Sequence, residues 1–303
     1  MSDETITFDR PILIVGACRS GKTLVKRIVS SPDEMAEGHE PFMIWNTGMS
    51  DHTDDARGVE EATEDLVRRI RRRLHKYMRK LDGARYVDDT AHHALRLPFS
   101  LKVLPEARLI YVLRNGRDNV AQMYAYWTGS DTLAGLLQRR LSRARRKNLR
   151  LASLPRQAWK WFYNYCRTRL GKPRATCGPT VPGQREFARS HETLETVAYQ
   201  WATMVRMLED ALAELPADRV LRVRYEDLLA DTSGQAARIA DFCEVGDPAG
   251  LIAAAREIID PDLPADFAPL SPQQWETVLP IIRPMLVRQG YVPEETDLQN
   301  EPS

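Results

Sequence analysis

A short strand that runs into a glycine-bounded loop and then into a helix constrains the fold of this chain most strongly. Four apolar residues, 12–15, precede Gly16, and Gly21 and Lys22 close the loop before apolar residues recur at helical spacing. Such a loop turns successive backbone N–H groups and the positive end of the helix toward one point, where a phosphate can sit. Glycines let the backbone approach the anion closely, and the lysine adds charge. The segment therefore predicts a phosphate-binding loop.

The loop has two interpretations, and they predict different functions. Residues 16–23, GACRSGKT, form a complete Walker A motif, which predicts ATP or GTP with magnesium. Residues 18–24, CRSGKTL, resemble the "PRSGTTL" loop of sulfotransferases that use 3′-phosphoadenosine 5′-phosphosulfate (PAPS). That resemblance implies a loop that grips the 5′-phosphosulfate and requires no metal.

Bulk composition excludes several classes of protein. The 303 residues are 43% hydrophobic and 28% charged, an ordinary globular composition, and 43 basic residues nearly cancel 42 acidic ones. No global basic field therefore indicates nucleic acid as a partner. The four cysteines lack paired spacing, the N-terminus is acidic and polar, and no run is long enough to cross a bilayer. We expect a cytoplasmic protein with reduced thiols and no transmembrane segment.

Strand and helix patterns alternate along the chain, which predicts an α/β fold with a central parallel sheet flanked by helices. We expect further strands at 85–87, 108–113 and 219–224, and helices at 66–81, after residue 114, at 194–212 with Ser190 as N-cap, and at 234–242. Residues 37–45 are expected to be an extended segment or loop. We expect one domain over 1–303, with a nucleotide-binding core at about 8–126 and 191–245, a helical basic insertion at about 127–190 and a C-terminal helical segment at about 246–303.

The end of the second convincing strand bears on the choice between the two functions. A Walker A protein that hydrolyses ATP normally carries an aspartate at the end of a second buried strand, where it holds magnesium. Here the strand 108–113 ends in Arg114. An arginine does not hold a metal, but it binds anions, and PAPS carries a 3′-phosphate. We interpret the chain as lacking the magnesium aspartate, and we expect no metal site.

Two further segments resemble the PAPS-dependent sulfotransferase family, in family order. Residues 105–118, PEARLIYVLRNGRD, resemble its "FPdArfIyvvRdprD" segment, so that the family's 3′-phosphate-binding arginine falls on Arg114. Residues 224–229, RYEDLL, resemble its "RYEDLv" segment near the nucleotide, which adds Arg224 and Tyr225 to the expected cofactor-binding residues. Residues 288–291, RQGY, resemble the "lGY" close to its C-terminus.

The resemblance implies the transfer of a sulfuryl group to a hydroxyl or amine acceptor by in-line displacement, with adenosine 3′,5′-bisphosphate (PAP) as product. It places the 5′ end of the donor on Gly16, Arg19, Ser20, Gly21, Lys22 and Thr23, with Arg19 and Lys22 also acting on the transferred group.

The family's general base, a carboxylate in a Gly-Glu-Pro segment, falls on Glu40 in Gly38-His39-Glu40-Pro41. His39 is the base if the register slips by one, and Glu37 is a third choice.

The chain departs from the family pattern at two positions near the donor. Gln122 stands where relatives commonly have a serine that shares the 3′-phosphate, and an amide donates with a different reach. Asp89 stands where relatives often have a lysine, and a carboxylate there would repel the phosphosulfate unless it points elsewhere. Lys22, in place of the usual Thr or Ser, supplies the missing charge in our hypothesis.

A basic, aromatic segment is the remaining distinctive feature. Residues 139–174 contain thirteen Lys or Arg and no Asp or Glu, and 159–165 are rich in Trp and Tyr. The segment either grips an acidic acceptor, a lipid surface or nucleic acid, or is a solvated helical insertion whose Trp and Tyr pack on the core. We expect a small-molecule, lipid or carbohydrate acceptor and no nucleic acid. His92 and His93 are expected to be structural. A P-loop kinase or NTPase and a non-catalytic sulfotransferase-like binding protein remain the alternatives.

Overall fold

One parallel sheet organises the computed structural model, which describes residues 6–37, 41–49, 53–81, 84–128, 178–259 and 268–292. The strand order is β2-β3-β1-β4-β5. The strands are β1 (Ile12–Val15), β2 (Met35–Glu37), β3 (Arg85–Asp88), β4 (Arg108–Leu113) and β5 (Val220–Arg224). The expected α/β class and the four expected strands are confirmed, and β2 is an additional edge strand.

The register of the sheet brings four strand ends to one edge. Leu13 of β1 lies opposite Asp88 of β3 on one side and Leu109 of β4 on the other. Leu113 of β4 lies opposite Arg224 of β5. Because these strands are parallel, the segments that follow them meet at their shared carboxyl edge. Ligands of open α/β sheets bind in the crevice at that edge.

Helices cover both faces of the sheet. They are α1 (Lys22–Val29), α2 (Phe42–Trp45), α3 (Glu64–Met78), α4 (Leu97–Val103), α5 (Gly116–Thr128), α6 (Gln184–Phe187), α7 (Thr193–Ala213), α8 (Tyr225–Ala230), α9 (Thr232–Cys243), α10 (Pro248–Ile258) and α11 (Pro272–Arg288), with short 3-10 turns at Val59–Glu61, Ala91–Leu95 and Ala217–Arg219. Among the described residues, no helix combines the length and the hydropathy needed to cross a membrane.

Alternation along the strands divides the core into two layers. Leu13 and Tyr111 face a layer with α2, α3, α4 and α7, whereas Ile12 and Ile110 face a layer with α1, α9 and α10. All four side chains are almost completely buried, and burial of one such side chain contributes about 1.5–3 kcal/mol. The loop after β1 is thus held by a strand that is covered on both faces.

Two local expectations are wrong. Residues 37–45 are not a continuous loop, because β2 ends at Glu37 and residues 42–45 form the one-turn helix α2. Ser190 does not cap the long helix: its hydroxyl donates to the Phe187 carbonyl in the preceding turn, at 3.4 Å. α7 begins at Thr193 because the Glu195 carboxylate accepts the Glu192 N–H at 3.0 Å and so completes the first turn.

Most of the basic segment, including all of 139–174, lies outside the described residues. Residues 178–190, which we expected to end the insertion, pack on α7 and on the loop before α3. The Gln200 side chain donates to the Pro179 carbonyl at 2.6 Å, and the Thr180 N–H donates to the Asp55 carboxylate at 2.7 Å. Val181 is buried in the core.

Candidate functional site

The loop after β1 has a backbone that only glycine allows at two positions. Gly16 has φ of 154° and Gly21 has φ of 100°. A Cβ atom on Gly16 would lie 2.6 Å from the Val112 carbonyl oxygen, and one on Gly21 would lie 2.5 Å from Cδ2 of Tyr225. Arg19, between them, adopts a left-handed φ of 64°. The loop is therefore closely seated between the ends of β4 and β5.

Lys22 and Ser20 point their polar groups into this loop. The Lys22 ammonium donates to the carbonyl oxygens of Gly16 and Ala17, at 3.0 and 2.7 Å, and so holds the loop in its curved shape. Ser20 is 1% exposed, and its Oγ has no hydrogen-bond partner within the part of the chain that the structure describes. A buried hydroxyl with that geometry fits an anionic oxygen, to which it can donate.

Arg114 joins the loop to the ends of β4 and β5. Its Nη1 donates to the Arg19 carbonyl oxygen at 3.0 Å and to Oε1 of Gln122 at 2.5 Å. Its guanidinium carbon lies 4.4 Å from the centre of the Tyr225 ring. The side-chain oxygen of Gln122 therefore accepts a hydrogen bond from Arg114 and orients its guanidinium group. The structure brings close together five of the expected cofactor-binding residues, namely Arg19, Gly21, Arg114, Gln122 and Tyr225.

Arg224 has a different set of contacts. Its Nη2 donates to the Gln289 carbonyl oxygen at 2.7 Å, and its guanidinium carbon lies 4.5 Å from the centre of the Tyr291 ring. Glu226 connects the same region to the end of β4, because its carboxylate accepts the Asn115 N–H at 2.8 Å and the Tyr291 hydroxyl at 2.9 Å. Hydrogen bonds thus join the segments RYEDLL and RQGY, a contact that the sequence analysis did not predict.

A buried carboxylate, that of Asp89, touches the loop helix. Asp89 directly follows β3, which is paired with β1. Its Oδ2 accepts the Thr23 hydroxyl at 2.9 Å, and its Oδ1 accepts the Lys26 ammonium at 2.7 Å. β3, which was expected at 85–87, is buried along its whole length although it contains Arg85 and Asp88.

The charge of Asp89 is neutralised by Lys26 and not by Lys22, whose ammonium is bound to the loop. Within the described residues, no group of three or more His, Cys, Asp or Glu could hold a metal ion.

Helices α5 and α7 support the loop from its other side. The Asn119 amide donates to the Cys18 carbonyl oxygen at 2.7 Å, and the buried Trp201 indole donates to the Asn119 Oδ1 at 3.1 Å. These hydrogen bonds connect α7 to the loop backbone through α5. Neither Asn119 nor Trp201 was expected from the sequence to be part of the site. The Trp201 ring also lies 2.6 Å from where a Cβ on Gly116 would sit.

A hydrogen-bonded cluster surrounds Asp88 beneath the site. Its oxygens accept from Trp45 Nε1 at 2.7 Å, Tyr86 Oη at 2.6 Å, and the N–H and hydroxyl of Thr90 at 2.8 and 2.6 Å, and lie 3.3 Å from His93 Nε2. Burial alone would raise the pKa of Asp88, but the contact with His93 and the other hydrogen bonds outweigh it and hold this pKa well below its usual range. The geometry agrees with the structural role expected for His93.

His92 is different from His93, because it packs on the helix that follows the expected base segment. Its ring centre lies 4.5 Å from that of Phe42. Burial lowers the pKa of His92 to about 3, and the positive charges of Arg96 and Lys22 add to that shift. The imidazole is therefore neutral at pH 7. Glu40 and His39 lie outside the described residues, as does the Glu37 side chain, so the expected base stays a prediction.

Residues 9–253 match the family of the sulfotransferase domain. The chain belongs to the sulfotransferase family.

Solved sulfotransferase structures share the architecture of this sulfotransferase. STF9 of Mycobacterium avium is 12% identical with a TM-score of 0.53, over 93% of this chain and 77% of that chain. STF1 of Mycobacterium tuberculosis H37Rv is 13% identical with a TM-score of 0.50, over 91% of this chain and 77% of that chain. Likeness at such identities shows the α/β fold alone. No curated protein sequence matches the chain significantly. Family and fold together support a transferase.

Proposed function

We propose that this sulfotransferase uses PAPS as donor and transfers its sulfuryl group to a hydroxyl or amine. One observation carries the proposal: the Arg114 guanidinium lies directly beside the phosphate-binding loop, through its hydrogen bond to the Arg19 carbonyl oxygen. Two anion-binding elements at adjacent strand ends match a nucleotide with a phosphosulfate at its 5′ position and a phosphate at its 3′ position.

The loop supplies the binding groups for the 5′ end. The first N–H groups of α1 and the buried Ser20 hydroxyl donate hydrogen bonds, and Arg19 and Lys22 add positive charge. The Thr23 hydroxyl donates its hydrogen bond to Asp89. We therefore assign only the backbone N–H of Thr23 to binding of PAPS. Arg114 holds the 3′-phosphate, with Gln122 fixing its orientation and Tyr225 covering its face.

The donor supplies a sulfuryl group activated by attachment to a phosphate leaving group. In the proposed step, the bond from sulfur to the acceptor oxygen or nitrogen forms as the bond from sulfur to the phosphate oxygen breaks. Arg19 and Lys22 oppose the negative charge that grows on that oxygen. Glu40, or His39 in the shifted register, takes the acceptor's proton. PAP leaves, and the sulfated acceptor is released.

Other properties remain part of the same proposal. We propose a small-molecule, lipid or carbohydrate acceptor, because sulfuryl transfer needs only a nucleophilic hydroxyl or amine. We also propose a cytoplasmic location, because the four cysteines lack paired spacing. Within the described residues, Cys243 is a buried free thiol.

Calorimetric titration with PAP tests the donor site. We expect binding without metal and a loss of at least about thirtyfold in Arg114→Ala, because removal of a buried charged partner costs about 2–5 kcal/mol. Arg117→Ala is the matched control: Arg117 is exposed and stacks on Trp275 at 5.0 Å. Binding of ATP with magnesium in place of PAP would overturn the proposal and favour a P-loop kinase or NTPase.

The base is tested by separating binding from turnover. Glu40→Gln is expected to keep the PAP affinity within about twofold and to lose about 10²–10⁴ in turnover, the range of general base catalysis. His39→Gln, at the adjacent position, is the comparison. A larger loss in His39→Gln than in Glu40→Gln assigns the base to His39. Full turnover in both variants shows that neither residue is the base.

A further inference from the structure

A buried ion pair joins Lys26 of α1 to Asp89, which directly follows β3. Asp89 and Lys26 lie 2.7 Å apart, with side chains 2% and 7% exposed. The second Asp89 oxygen accepts the Thr23 hydroxyl, so both oxygens of the carboxylate have a partner from the same helix. Thr23 and Lys26 are three residues apart on α1 and therefore share one face of it.

In P-loop NTPases, the threonine or serine of the loop and a strand-end aspartate hold the magnesium ion of the nucleotide. Thr23 and Asp89 have these chain positions, and they are in direct contact. Magnesium requires oxygen ligands at about 2.0–2.1 Å in near-octahedral geometry. Here the ammonium group of Lys26 already occupies one Asp89 oxygen, and its charge repels a second cation.

We propose that the Lys26 ammonium takes the place of a metal ion beside Asp89. By this means Lys26 favours an anionic sulfuryl donor that carries no metal and disfavours metal complexes of nucleoside triphosphates. The pair has no net charge, so Asp89 does not repel the sulfate and phosphate oxygens above the loop. It also fixes Thr23 by accepting its hydroxyl. The identity of the favoured donor rests on the proposed function, whereas the exclusion of metal rests on the pair itself.

The two lysines of α1 thus have separate tasks. Lys22 donates to the carbonyl oxygens of Gly16 and Ala17 and shapes the loop. Lys26, one turn further along the helix, points to Asp89 at the end of the neighbouring strand. Removal of Lys26 charge leaves Asp89 as a buried carboxylate beside a hydroxyl, which is a partial magnesium site.

The test compares nucleotide affinity with and without Mn²⁺ by calorimetry, using PAP and ATP as probes. In the wild-type protein we expect Mn²⁺ to change neither affinity by more than about twofold. In Lys26→Met we expect Mn²⁺ to strengthen ATP binding at least tenfold. The double variant Lys26→Met/Asp89→Asn restores an uncharged pair, and its metal effect is expected to disappear. Lys76→Met, an exposed position on α3, is the control.

Two results would overturn the proposal. One is a folded Lys26→Met protein without any metal-dependent gain for either nucleotide. The other is a tenfold effect of Mn²⁺ on the wild-type protein that is lost in Asp89→Asn, which makes Asp89 a metal ligand despite Lys26. If Lys26→Met does not fold, Lys26→Gln, which keeps a hydrogen-bond donor, is measured in the same way, and the wild-type titration decides independently.

The same titrations separate this proposal from the donor assignment. Wild-type protein that does not bind PAP, together with a Lys26→Met protein that gains metal-dependent ATP binding, refutes PAPS as donor and retains the role of Lys26. Wild-type binding of PAP, together with a folded Lys26→Met protein that gains no metal-dependent binding of either nucleotide, retains PAPS as donor and refutes the role of Lys26.

Discussion

At the scale of single residues, Gly21 has no room for a side chain because Tyr225 packs directly on it. Gly21→Ala combines this contact with a φ of 100°, at which an L side chain is strained. We expect a loss of about 1–3 kcal/mol in the free energy of unfolding and a clear loss of PAP affinity. Urea denaturation and calorimetry measure the two effects. Gly246→Ala is the control: the residue is exposed, and an added Cβ would lie 3.0 Å from the flexible Glu34 carboxylate, so we expect a change in stability of less than about 1 kcal/mol and an unchanged PAP affinity.

Asp88 gives a second prediction at this scale. Because its pKa is lower in the folded protein than the usual value of about 3.9, the ionised form contributes stability above that pH. This contribution is lost as the pH falls from about 4 toward the folded-state pKa. Asp88→Asn, whose amide nitrogen faces donors, should cost about 2–4 kcal/mol at pH 7 and flatten the dependence of stability on pH below about 5.

Chemical denaturation between pH 7 and pH 3 checks this expectation. Asp210→Asn is the matched control, because Asp210 forms an exposed ion pair with Arg288 and should change stability by less than about 1 kcal/mol. An Asp88→Asn protein with wild-type stability at pH 7 would show that the buried cluster has no energetic role.

At the scale of elements, α5 and α7 hold the loop through Asn119. Trp201→Phe keeps most of the packing but removes the donor to the Asn119 Oδ1, which costs about 1–3 kcal/mol for a buried group left without a partner. We expect a lower free energy of unfolding and weaker PAP binding, because Asn119 also fixes the Cys18 carbonyl. Denaturation and calorimetry of Trp275→Phe, a partly exposed position, provide the comparison; equal losses in both variants contradict a specific role for Trp201.

The elements also show what a sequence can and cannot predict. β1 and β4 are apolar runs that are recognisable in the sequence. The glycine loop follows β1 directly and Arg114 follows β4, so the sequence predicts these two parts of the site as well. β3 was expected at 85–87, but its complete burial was not, because Arg85 and Asp88 have partners that are remote in sequence, the Cys243 carbonyl oxygen and the Trp45 indole. The contact of Lys26 with Asp89 depends on β3 being the neighbour of β1, and strand order is not written in any local pattern.

At the scale of the whole molecule, the proposed donor site spans the ends of four strands, so its occupation should stabilise the entire sheet. A ligand at a hundred times its Kd adds about 2.7 kcal/mol to the folded state. For a chain of this size we expect PAP to raise the Tm by about 4 °C. Adenosine 5′-monophosphate, which lacks the 3′-phosphate, should raise it less, and Arg114→Ala should reduce the difference. Differential scanning calorimetry measures these shifts, and equal effects of both nucleotides would remove the role of Arg114.

The position of β1 in the centre of the sheet has a consequence for synthesis of the protein. β1 leaves the ribosome before its partners β3 and β4 are made, and Tyr225 of α8, which packs on Gly21, is made later still. Pairing between such distant segments is slow to form. The apolar strand therefore emerges long before its neighbouring strands can pair with it. We expect the nascent chain to need a chaperone until residue 225 has emerged, and to bind no nucleotide before then.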